Sequence, residues 1–231
     1  MKYELRTTNS KGFSLTEVLL AVGILAVGML FIAGTFLVGI HFSTIATEQT
    51  IAAVAADEAF AKIKLYGVNL DPNLWGGELV VHFNRVALTP INPDEFAYPS
   101  TNTVAEKQYY WSALCRFPDS NLVQVTVFVC RSSGSARPVP VKVNVQQSIS
   151  NNSELVVTDG NEALINDGYT IVDNYAGWIY RVLERYADRP NIIHLDRPWL
   201  GGMSGSVWVV PPAAGGGRNP CIAVYPKVMR F

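Results

Sequence analysis

The chain has 231 residues, 49% of them hydrophobic and 11% aromatic, which suits one or two packed domains and argues against a disordered chain. Its 18 basic and 19 acidic residues leave a formal charge of −1 with no basic stripe, so nucleic acid is not an expected partner. Cys115, Cys130 and Cys221 form neither a CxxC nor a Cys/His cluster, so neither a metal nor another cofactor is expected.

The first twelve residues carry Lys2, Arg6 and Lys11 against Glu4 alone. Behind them, Val18 to Phe42 runs without one Asp, Glu, Lys or Arg. About 20 apolar residues span the hydrocarbon core of a bilayer, so a transmembrane helix over 13–42 is expected. The basic flank predicts that residues 1–12 stay cytoplasmic and that the rest is exported. A cleaved secretory signal would have a shorter apolar region and a small-residue cleavage site, which this stretch lacks. A plain signal anchor accounts for the hydropathy but not for Glu17. That carboxylate stands at the edge of the apolar run, where it is costly without a partner.

The segment GFSLTEVLLAVGIL, Gly12 to Leu25, after a short basic leader closely resembles the processing site of type IV pilins and type II secretion pseudopilins. The resemblance covers residues 1 to about 66 strongly and the remainder by organisation only. It implies cleavage between Gly12 and Phe13 by a membrane prepilin peptidase, with N-methylation of Phe13. It also implies an assembly charge pair between Glu17 and the new Phe13 amine, in the same or a neighbouring subunit. Two such charges ~4 Å apart attract by several kcal/mol at an effective dielectric near 20. The partners implied are the peptidase, other pilin or pseudopilin subunits, an inner-membrane assembly platform and the lipid bilayer.

Many major pilins carry a helix-breaking proline about two dozen residues into the mature chain. Here the first proline is Pro72, and Gly23, Gly28, Gly34 and Gly39 punctuate the helix instead. The expected role is therefore a minor structural subunit that primes, caps or decorates a filament, and not an enzyme. The expected location is the inner membrane, with one pass and an extracytoplasmic C-terminal domain, until processing and assembly into a pilus or pseudopilus. The alternative is a signal-anchored envelope binding protein with a β-rich outer domain.

Beyond the membrane, residues 43–66 are alanine-rich and free of glycine and proline, which predicts that the helix continues. Ile45, Gln49, Ala52, Ala56, Phe60 and Ile63 fall along one side. Gly67 is a C-cap position, and Asp71-Pro72 blocks continuation. Residues 67–107 read as a long connection with a short strand near Leu79–Phe83. YYWSALCRFPDSNLVQVTVFVCR is a β-hairpin signal, with Val123, Val125, Val127 and Val129 on the face that packs against the helix. Centred on Pro118–Asn121, it is expected to pair Leu114 with Val125 and Trp111 with Phe128. Cys115 then faces Gln124 and Cys130 faces Tyr109, which argues against a Cys115–Cys130 disulfide.

A strand over Val139–Val145 follows, and from Asn151 several short strand candidates suggest a small barrel or compact sheet. The expected fold is α+β. A long N-terminal helix packs on an antiparallel sheet in a pilin-like head (67–150), with an additional β-rich unit (151–231). Pro211 to Pro220 reads as a surface loop.

Candidate chemistry is thin. GGMSGSVW, Gly201 to Trp208, resembles the nucleophile turn of chymotrypsin-like proteases around Ser204, yet His41, His82 and His194 lack that family's context. It reads better as a glycine-rich turn into a strand. His194-Leu195-Asp196 offers two metal ligands without a third. The aromatics Tyr169, Tyr175, Trp178, Tyr180, Tyr186, Trp199, Trp208 and Tyr225 are expected in the core.

Overall fold

The computed structural model describes residues 12–100, 108–119, 121–132, 137–213 and 219–231. The expected leader up to Lys11, Ser120 of the expected hairpin turn, part of the turn before Val139, and the middle of the Pro211–Pro220 loop lie outside the described residues. The chain divides into two compact units between Thr47 and Glu48.

The N-terminal unit contributes the first part of helix α1, Leu15–Tyr66. Every residue from Gly12 to Thr44 is exposed, including Leu20, Ile24, Phe31, Ile32 and Leu37. A continuous apolar surface of this kind is what lipid or neighbouring helices cover. The helix is long and apolar enough to cross a membrane.

In the second unit α1 changes character. Ala52, Ala55, Ala56, Ala59, Phe60 and Ile63 are buried on one stripe, as the i, i+3, i+4, i+7 spacing requires. The small alanines let the helix approach a sheet closely. Gly67 ends the helix in the left-handed region at φ 70°, its amide donating to the Ile63 carbonyl at 3.0 Å. Asp71 then caps a short 3₁₀ turn over Pro72–Trp75.

The sheet against this stripe is antiparallel. Its strands are β1 (Val80–His82), β2 (Ala97–Tyr98), β3 (Tyr109–Asp119), β4 (Leu122–Arg131) and β11 (Cys221–Arg230), with a four-residue helix α2 (Phe83–Val86) after β1. They run in the order β1-β3-β4-β11, and β2 also pairs with β3. Val123, Val125, Val127 and Val129 share one core with the buried alanines, Phe60 and Ile63, as expected. From residue 67 to residue 100 the connection holds more regular structure than expected, because α2, β2 and a second 3₁₀ turn (Pro93–Phe96) line it with Phe83, Val86 and Phe96 buried, and the rest of the expected connection lies outside the described residues.

The hairpin register is one residue away from the expected one. Leu114 pairs with Thr126, Trp111 with Val129, Cys115 with Val125 and Cys130 with Tyr110. The cause is an irregularity between Arg116 and Asp119, where Phe117 and Pro118 sit opposite Val123 alone. One extra residue moves Trp111, Ala113 and Cys115 onto the valine face, inside the helix-side core.

The remaining strands close a barrel. They are β5 (Val141–Gln147), β6 (Glu154–Val157), β7 (Thr170–Asp173), β8 (Ile179–Arg185), β9 (Ile192–Leu195) and β10 (Ser204–Val209), in the order β10-β5-β6-β9-β8-β7, with β10 pairing back to both β5 and β7. Alternate side chains point inward: Val143, Val145, Leu155, Val157, Ile171, Tyr180, Val182, Ile193, Leu195, Val207 and Val209, plugged by Tyr169 and Trp199.

The expected division at residue 150 is therefore corrected. β5 belongs to the barrel and β11 to the first sheet, so the barrel is an insertion between β4 and β11 rather than a C-terminal addition. Val172 and Trp208 point out of the barrel onto the sheet's other face, against Val80, Leu114 and Phe128. The sheet is thus covered on both sides, by α1 and by the barrel. The whole is α+β with a β-rich C-terminal portion.

Candidate functional site: the N-terminal processing motif

Gly12, Phe13 and Ser14 form no regular structure, and the helix starts at Leu15. Ser14 is its N-cap. The Ser14 hydroxyl accepts the Glu17 amide at 3.2 Å, while its carbonyl takes the Glu17 and Val18 amides at 3.0 and 3.2 Å. Glu17 falls at the third helical position, where a carboxylate also meets the positive end of the helix dipole. Ser14-x-x-Glu17 is the capping-box pattern. That local role for both residues was readable from their spacing and is additional to the charge pairing expected of Glu17.

The Gly12–Phe13 bond precedes this cap in non-helical, exposed chain, with Phe13 81% exposed. A Cβ added at Gly12 would meet nothing within 4 Å. Folding of this chain does not require a glycine there. Among the described residues no ion pair involves Glu17.

The other candidates separate. Ser204 opens β10 opposite Gln146, whereas His194 lies on β9, three strands round the barrel, opposite Glu154 and Glu184. Asp196 accepts the Arg181 amide at 3.0 Å. His82 belongs to β1, its ring edge-on to Trp208 with centroids 5.0 Å apart. No group of three metal-ligating side chains occurs among the described residues. Of the aromatics expected in the core, Tyr169, Tyr180, Trp199 and Trp208 are there, while Tyr175 and Trp178 are exposed at the β7–β8 turn.

Residues 7–33 match the model of the prokaryotic N-terminal methylation motif. Followed by a long apolar helix, that motif fits a type IV pilin-like protein. The motif and helix support a pilin-like or pseudopilin-like protein, and they imply processing by a prepilin peptidase and assembly with other pilins. No curated protein and no solved structure matched the chain in the same comparisons.

Proposed function

We propose that this protein is a structural minor subunit of a type IV pilus or a type II secretion pseudopilus. The peptidase cuts between Gly12 and Phe13, the Phe13 amine is methylated, and the helix carries the subunit from the inner membrane into the filament. The head stands outside the cytoplasm and caps, primes or decorates. The observation that carries this reading is the methylation motif joined to a helix whose apolar residues from Leu15 to Phe42 are exposed. Gly12, which the fold does not need, and Glu17, at the first turn, are the residues such processing and assembly would use.

The test is intact and N-terminal mass analysis of protein isolated from its native membrane. The expected terminus is N-methyl-Phe13. Loss of residues 1–12 removes Lys2, Arg6, Lys11 and Glu4, which moves the formal side-chain charge from −1 to −3. A terminus that remains at Met1 would return the protein to the class of signal-anchored envelope proteins. One that lies beyond Phe42 would remove the apolar, exposed half of the helix from the mature chain.

A further inference from the structure

We infer that Cys130 and Cys221 are joined by a disulfide in the native protein, closing the root of the barrel insertion; this rests on the extracytoplasmic head proposed above. The two cysteines are direct partners across β4 and β11. They also stand at the root of the insertion, Cys130 one residue before β4 ends and Cys221 as the first residue of β11. One pair further out, the Arg131 amide donates to the Pro220 carbonyl at 2.8 Å. Cys130 and Cys221 therefore form the adjacent, non-hydrogen-bonded pair. Such pairs hold their Cα atoms about 4.5 Å apart with side chains on one face. A disulfide accepts Cα separations of about 4.4–6.8 Å.

The surroundings agree. Both side chains belong to the apolar cluster between sheet and barrel, with Leu114, Phe128 and Trp208. The Cys130 thiol is pushed well above its usual range, first by its hydrogen bond with Cys221 and then by burial. Cys221 is 9% exposed while Cys130 is sealed, so Cys221 is the more accessible residue of the pair. Cys115 is no competitor. It pairs with Val125 on the opposite face, inside the helix-side core.

The co-reactant is a thiol oxidoreductase carrying its own disulfide, as oxidising compartments supply. The Cys221 thiol gives up its proton, and the thiolate attacks one sulfur of the carrier's disulfide. A mixed disulfide forms and one carrier thiolate leaves. The Cys130 thiol then loses its proton, and its sulfur attacks Cys221 and expels the second carrier thiolate. Two protein thiols are oxidised, one carrier disulfide is reduced, and the two protons end on the carrier.

The experiment uses full-length protein from its native membrane, acid-quenched, denatured, alkylated without reductant and digested. The expected result is a linked peptide pair containing Cys130 and Cys221 that separates on reduction with the gain of two hydrogens, together with alkylated Cys115. Alkylated Cys130 and Cys221, or a link to Cys115, would overturn the assignment. The N-terminal peptide of the same digest reads the processing independently. A chain starting at Phe13 with both thiols alkylated sinks the disulfide and leaves the pilin-like reading. A chain starting at Met1 that carries the link sinks that reading and keeps the disulfide.

Discussion

Arg131 and Glu48 meet in a two-point pairing, with Nε to Oε1 at 2.8 Å and Nη2 to Oε2 at 2.5 Å. The other guanidinium nitrogen donates to the Asn219 carbonyl at 2.6 Å. One side chain at the end of β4 therefore ties down α1 and the residue two places before Cys221. Glu48 is the first cause holding the Arg131 pKa above its ordinary value. Bidentate pairs of this kind are the stronger ion pairs, but these side chains are 24% and 12% exposed, so solvent screens part of the attraction. Glu48→Gln is expected to destabilise the head by about 1–2 kcal/mol in denaturant unfolding. An unchanged midpoint would mean that Asn219 and water satisfy Arg131 unaided.

The valine face gives a second prediction. Val123, Val125, Val127 and Val129 are fully buried, and α1 is among the elements that bury them. A fragment starting near Ser43 keeps that half of the helix and should be soluble and unfold cooperatively. A fragment starting after Gly67 exposes a contiguous apolar patch and should aggregate. Equal solubility and cooperativity of the two, by sedimentation and thermal unfolding, would show that the sheet holds together without the helix.

His82 makes stability depend on pH. Burial, and then the Arg85 charge, depress its pKa below 6.5; Arg137 adds to this and Glu78 opposes it. The unfolded chain therefore takes up a proton near 6.5 while the folded one still resists. Stability is full above that pH and is lost progressively as pH falls from 6.5 toward the depressed value. Urea unfolding at pH 7.5 and 5.5 should show this loss in wild type and a smaller one in His82→Gln. The same pH response in both proteins would assign it to other groups.

The β7–β8 turn offers a control within one molecule. Asp173, buried, accepts the amides of Tyr175 and Ala176 at 3.1 and 2.6 Å, and Gly177 follows at φ 72°. A Cβ on Gly177 would lie 2.7 Å from Gln124 Nε2, where the barrel touches the sheet. Gly160 has nearly the same φ, 74°, with nothing within 4 Å. Gly160→Ala should cost about 1 kcal/mol for the backbone alone. Gly177→Ala should cost more, by whatever Gln124 loses on moving aside. Equal losses in parallel unfolding curves would place no packing value on that contact.

The helix and the hairpin were legible because each repeats its own period over many residues, and most barrel strands because turn residues bracket short apolar runs, whereas β6, four residues long, was not. The hairpin register was not, since the irregularity at Phe117-Pro118 adds a residue that alternation on either side does not reveal. The insertion was harder still. Cys221 to Pro226 reads as one more short strand, whereas the strand runs to Arg230 and only tertiary pairing returns it to β4. A hint stood in β4 itself. Phe128 and Cys130 fall on the face opposite the valines, where a solvated sheet would carry polar residues, and that face proves to be buried by the barrel. At the N-terminus the spacing of Ser14 and Glu17 carried a capping role as plainly as it carried the processing motif.

That double role decides how Glu17 should be tested. Glu17→Ala would remove the charge and also weaken the first turn, so a defect would be ambiguous. Glu17→Gln keeps a side chain that serves at the third position of a capping box and deletes only the charge. The Ser14 hydroxyl still accepts the residue-17 amide, and the helix should start where it does now. Insertion and cleavage should survive, because the accessible Gly12–Phe13 bond lies outside the helix. Assembly is expected to suffer, because the Phe13 amine would enter a packed helix bundle without its counter-charge. Removing one member of a desolvated pair costs about 3–5 kcal/mol. Processed mutant should therefore accumulate in the membrane and be depleted from sheared filaments relative to wild type. Ser14→Ala is the companion, weakening the cap by about 1 kcal/mol while keeping the charge. If Glu17→Gln and wild type are recovered equally in filaments, the carboxylate does not serve as the amine's partner. If Ser14→Ala is as depleted as Glu17→Gln, the shared defect is in the helix start and not in the charge.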